Sequence, residues 1–180
     1  MTWFLWILAC AKHSEPLWDT PDNEASVLDA DREMGAPSLG EPITAQSWAD
    51  AESALTVRIP EGWRGWPGIP GATIRLHLNH PLSGTEVRVF SSSNSVGWPT
   101  SLGCKWTFSD AGSYAVFSEQ RAVEYASCWP TVPGASSKVA WRFPEQDTFW
   151  LIEAQLVGGK VGLAHESLDA LLPSMQFRAP

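Results

Sequence analysis

The stretch Ile74-Arg75-Leu76-His77-Leu78-Asn79-His80-Pro81-Leu82-Ser83-Gly84-Thr85-Glu86-Val87-Arg88-Val89-Phe90 decides how this chain folds. Ile74, Leu76 and Leu78 alternate with Arg75, His77 and Asn79, and Val87 and Val89 alternate with Glu86, Arg88 and Phe90. A period of two is that of a strand with one face in a core and the other toward water. Pro81-Leu82-Ser83-Gly84 supplies turn residues between the two runs, so they read as an antiparallel hairpin. Outward from it the same reading gives a strand at Leu55, Val57 and Ile59, and further strands at 106–108, 114–117, 139–143 and 148–156. Residues 119–126 fit either helix or strand. Ser47–Leu55 reads as a short helix with Ser47 as N-cap. His165–Leu172 reads as a helix through Leu168, Leu171 and Leu172, stopped by Pro173 before Met175-Gln176-Phe177.

Composition sets the organisation. Between Ala11 and Ile43 stand eight acids against two bases, which is −6 of the net −8 for all 180 residues. Pro16, Pro21, Pro37 and Pro42 interrupt that segment, and its apolar residues keep no period, so it reads as an acidic tether that buries too little surface to offset its ordering entropy. Residues 44–180 then form a single globular domain with 12 acids against 10 bases. An acidic chain lacks the basic footprint of a nucleic-acid binder. No apolar run reaches the roughly 18 residues of a spanning helix.

The first ten residues, Met1-Thr2-Trp3-Phe4-Leu5-Trp6-Ile7-Leu8-Ala9-Cys10, are apolar from Trp3 to Ala9 and turn polar after Cys10. This length matches the apolar region of a secretory signal. Ile7-Leu8-Ala9-Cys10 resembles the lipobox of bacterial lipoproteins, which implies a signal peptide at 1–9 and lipidation of Cys10. The resemblance further implies a lipidated tether over 10–43, a membrane partner through the lipid, and a place in the cell envelope. Ala11 after the cysteine resembles lipoproteins passed to the outer membrane. With Cys10 so used, Cys104 and Cys128 remain as an even pair in a compartment where a disulfide persists. Such a bridge would close a 25-residue loop, for which the chain-entropy relation gives roughly 3.5 kcal/mol.

Val57-Arg58-Ile59-Pro60-Glu61-Gly62-Trp63 resembles the start of PsbP-like domains, the fold shared by an extrinsic photosystem II subunit and a Ran-binding nuclear protein. The carboxyl end, with a long strand at 149–156, a helix and the closing Ser174-Met175-Gln176-Phe177, is similar to that family's last elements. The resemblance implies an α+β fold, an antiparallel β-sheet with flanking helices; a plain all-β sandwich is the alternative. It also implies assembly factors and binding modules, and brings no catalytic residues.

The chemistry-bearing residues point the same way. No Gly-x-Ser-x-Gly elbow, phosphate loop, dinucleotide fingerprint or zinc-type Cys pairing occurs, so no cofactor is expected. His77 and His80 are three apart in a strand and would face opposite ways, which argues against a shared metal. Glu145 and Asp147 read as solvated turn acids, and Glu166 beside His165 as a complement to a helix dipole. The chain carries 11 Trp. Trp63 and Trp66 lie in Gly62-Trp63-Arg64-Gly65-Trp66-Pro67-Gly68-Ile69-Pro70-Gly71, which reads as a loop. With Trp98 they form either an exposed platform for a glycan or protein, or a buried cap on the sheet. The expectation is a non-catalytic envelope module acting as accessory or scaffold for an envelope protein, with glycan or cell-wall binding as the alternative and a hydrolase behind both.

Overall fold

The computed structural model describes residues 39–94, 97, 104–109, 113, 114, 121–130 and 136–177. Its main layer is a seven-stranded antiparallel sheet in the order β3 (Arg64–Pro67), β4 (Ile74–His80), β5 (Thr85–Ser92), β11 (Thr148–Leu156), β10 (Ser137–Glu145), β9 (Glu124–Pro130) and β6 (Cys104–Ser109). A three-stranded sheet packs against it, in the order β1 (Ser47–Ala49), β2 (Leu55–Arg58) and β12 (Met175–Phe177). Two short strands, β7 (Ser113–Tyr114) and β8 (Arg121–Ala122), pair separately. One α-helix, α1 (Val161–Leu171), runs through a 3₁₀ turn (Leu172–Ser174) into β12.

This corrects the expected α+β sheet with flanking helices: the described residues form a largely β fold with two unequal sheets and a single α-helix. The physical reason lies at Ser47–Leu55. Its residues favour a helix locally, but Trp48 pairs opposite Val57 and turns inward onto the core, so the segment is an edge strand and turn. Within residues 119–126, 121–122 and 124–126 are strand. The helix starts four residues before the expected His165, at Val161, and its first turn carries no acid. Glu166 therefore sits beyond the turn where the dipole acts.

The hairpin pairs as read, His80 opposite Thr85 and Leu78 opposite Val87. Leu76, Leu78, Val87, Val89, Trp150 and Ile152 from the large sheet meet Leu55, Val57, Met175 and Phe177 from the small one, and α1 adds Leu168 and Leu171. A register shift between Ile74 and Leu76 leaves Arg75 to reach across the fold. Its guanidinium lies 2.6 Å from Glu52 Oε2, and its Nε donates to Ser91 Oγ at 2.6 Å, which fastens the turn before β2 to the large sheet.

Arg64–Pro67, expected as a loop, is the edge strand β3. Gly65 makes this possible, because a side chain there would meet Ile59 Cδ1 at 3.0 Å and Leu78 Cδ2 at 3.1 Å. Beyond β3, Leu39 bridges Gly68, and Gly40 and Ile43 donate to the carbonyls of Pro67 and Gly65 at 2.8 Å. Residues 39–43, read as the end of the tether, thus line the outer edge of β3.

Candidate functional site

β4 carries His77 and His80 to opposite faces of the large sheet, as its alternation requires. On the core side His80 is buried, with its ring 5.3 Å from that of Trp63. Its Nδ1 lies 2.9 Å from Ser83 Oγ. Ser83 Oγ in turn lies 2.7 Å from Thr85 Oγ1 and 3.5 Å from Ser167 Oγ, whose hydroxyl donates to the Ala164 carbonyl at 2.8 Å. A serine beside a histidine is the first requirement of nucleophilic catalysis. Here Ser83 has no solvent exposure, so its oxygen has no path to a substrate carbonyl. The network instead satisfies the polar groups of a tight turn and ties that turn to α1.

On the other face, His77 packs against Trp66, ring centroids 5.8 Å apart. Its Nε2 is 3.9 Å from Glu86 Oε2, which lies 3.7 Å from Arg88 Nη2. Both ring nitrogens are buried without a hydrogen-bond partner. Burial lowers the proton affinity of His77 below the ordinary 6.5; Glu86 opposes this, and Arg88 adds to it. The unfolded chain therefore takes the proton first as the pH falls. The stability that neutral His77 contributes is present above about pH 6.5, declines as the pH drops below that value, and levels off once the folded imidazole is also charged. Thermal midpoints of the native protein are expected to fall between roughly pH 7 and 5, with a visibly flatter profile for His77→Gln. Equal slopes for the two would remove His77 as the cause.

The same face continues as ion pairs. Arg88 stands opposite Glu153, which is buried with Oε1 3.1 Å from Lys138 Nζ. Arg142 holds Glu124 through Nε at 2.8 Å and Nη2 at 2.6 Å. The gap between Glu86, Arg88, Glu153 and Gln155 is about 10 Å³, roughly the room of one water. This strip can present charge to a partner, but it sets no nucleophile beside a base. Among the described residues no three His, Cys, Asp or Glu gather as metal ligands.

The sequence-derived residues are dispersed. Trp63 is 7% exposed and belongs to the core between the sheets, whereas Trp66 is half-buried on the opposite face beside His77. They share no surface, because residues three apart along an extended chain point opposite ways. Trp98 and Cys10 lie outside the described residues. Cys104 stands opposite Pro130 and the buried Cys128 opposite Trp106, so the two cysteines occupy neighbouring strands two residues apart in register. A larger concavity, about 380 Å³, opens on the outer face of the small sheet, where Ser47, Trp48, Thr56, Arg58, Ser174 and Gln176 line it. Nothing in the sequence singled it out, because its walls come from segments about 120 residues apart that meet only by pairing.

No protein-family model matches the chain, and no curated protein does. Among solved structures it is similar to cyanobacterial PsbP (CyanoP) from Synechocystis sp. PCC 6803, with 10% sequence identity and a TM-score of 0.47 over 80% of this chain and 95% of that chain.

Proposed function

We propose that this chain is a non-catalytic binding or accessory domain, held at a membrane of the cell envelope by lipid on Cys10 and stapled by a Cys104–Cys128 disulfide. The observation that carries the non-catalytic reading is the closure of the Ser83–His80 pair: the one serine oxygen found beside a histidine nitrogen among the described residues is sealed beneath α1. The pairing of β6 with β9 supports the disulfide by placing the two cysteines on adjacent strands, offset by two residues. The lipobox-like Ile7-Leu8-Ala9-Cys10 supports the anchor, with the outer membrane as the expected destination. A glycan platform would need Trp63 at the surface, so protein partners are the better reading.

The test starts from protein extracted from its native membranes. Intact mass is expected to show loss of residues 1–9, acyl groups on Cys10, and a gain of one hydrogen per sulfur at Cys104 and Cys128 on reduction. An unmodified chain beginning at Met1 with free thiols would overturn anchor and disulfide together. Crosslinking in the same membranes is expected to recover a defined protein partner reproducibly, and a partner-free result would overturn the accessory role.

A further inference from the structure

The outer face of the small sheet is shaped by small residues around one long cation. Side chains at Ser47, Ala49, Thr56, Arg58 and Gln176 turn away from the core, because their neighbours Trp48, Val57, Met175 and Phe177 turn into it. Ser47 and Ala49 are short, and the space they leave becomes the groove of about 380 Å³, within the broad range of small-ligand sites. Arg58, exposed at the end of the central strand β2, stands directly opposite Ser47 on β1.

The lining is rich in donors and holds no acid. Arg58 makes no ion pair with any described residue, although Arg75, Arg88 and Arg142 each face a carboxylate. Thr56 Oγ1 donates to Gln176 Oε1 at 3.5 Å, which leaves the Gln176 amide hydrogens free to donate into the groove. Ser174 Oγ donates to the Leu171 carbonyl at 2.6 Å and so has only lone pairs to offer. A guanidinium fork, an amide NH₂ and the Ser47 hydroxyl match the planar, two-oxygen geometry of a carboxylate. The chain carries −8 overall, yet this groove presents a single positive charge and no negative one.

We propose that the groove between β1, β2 and β12 is a binding site for a carboxylate group, with Arg58 as the anchoring cation and Gln176 and Ser47 as flanking donors. This deepens the binding reading above by naming a ligand class, and it depends on neither lipidation nor the disulfide.

The test titrates the isotopically labelled full-length protein with succinate, with the neutral isostere succinamide, and with inorganic phosphate, all at constant ionic strength. Succinate is expected to give saturable shifts of the Arg58 Nε–H and Gln176 side-chain amide resonances, with succinamide and phosphate at least about tenfold weaker. Arg58→Gln is expected to weaken succinate roughly tenfold or more with an unchanged thermal midpoint, since Arg58 is exposed. Succinamide or phosphate binding as well as succinate, or Arg58→Gln retaining full succinate affinity, would overturn the assignment. Neither outcome would alter the mass and crosslinking results, so the wider reading stands or falls separately.

Discussion

Gly68→Ala is expected to cost about 3 kcal/mol or more of folding stability, an unusually large effect for one methyl group. An ideal Cβ at Gly68 would lie 1.7 Å from the Ile74 carbonyl oxygen and 2.8 Å from its carbon. Both are backbone atoms at the start of β4, where the register shift has already fixed the path of the chain. No side-chain rotation relieves that overlap, so the end of β3 must move away. The movement breaks the Gly68 N–H bond to the Arg75 carbonyl at 2.9 Å and the bridge to Leu39. Gly71→Ala is the comparison: it meets nothing within 4 Å but has φ of +79°, and strain of that kind costs roughly 1–2 kcal/mol. Urea denaturation of the two variants separates close approach from backbone conformation. If Gly68→Ala proved no worse than Gly71→Ala, the close packing of β3 on β4 would be wrong.

That pair of glycines also shows where the sequence was legible. The Ile74–Phe90 hairpin reads directly because its period and its turn residues agree, and the strand at 148–156 was expected with the bounds it has. The Gly62–Gly71 segment was expected as a loop because four glycines outweighed one short strand signal. At Gly68 backbone atoms leave no room for a side chain, and at Gly65 a side chain would crowd Ile43, Ile59 and Leu78, and spacing along the chain does not encode such contacts. Ser47–Leu55 failed for the opposite reason: its local helical preference is weak, and burial of Trp48 opposite Val57 outweighs it.

The same limits apply to the candidate site. Alternation separated His77 from His80 in advance, and it would have separated Trp63 from Trp66 had residues 64–67 been read as a strand. The isolation of Arg58 was beyond reach. It depends on Gln176 and Ser174 arriving beside β2 through β12, after nearly the whole chain has been placed. Long-range pairing of this kind also carries the weld between the two sheets.

Phe177→Ala is expected to break that weld at a cost of about 3–5 kcal/mol. The ring is 1% exposed, and it stands edge-on to Phe143 at 5.0 Å and to Trp150 at 4.9 Å between centroids. Phe143 and Trp150 are cross-strand partners at the centre of the large sheet, and Phe177 pairs opposite Leu55 in the small one. Removing the ring leaves a cavity bounded by strands that cannot collapse independently, so the loss lies toward the upper end for aromatic truncation. Domains of this size hold only about 5–15 kcal/mol in total, so the variant should be partly unfolded in mild denaturant. The small sheet should loosen first, because β1 and β12 span three residues each and hold few ladder bonds of their own. Amide exchange is then expected to accelerate in β2 before β10 and β11, while exposed Gln176→Ala next door shifts stability by no more than about 0.5 kcal/mol. A loss below about 1 kcal/mol for Phe177→Ala, or uniform loss of protection across both sheets, would mean that the two layers are joined elsewhere.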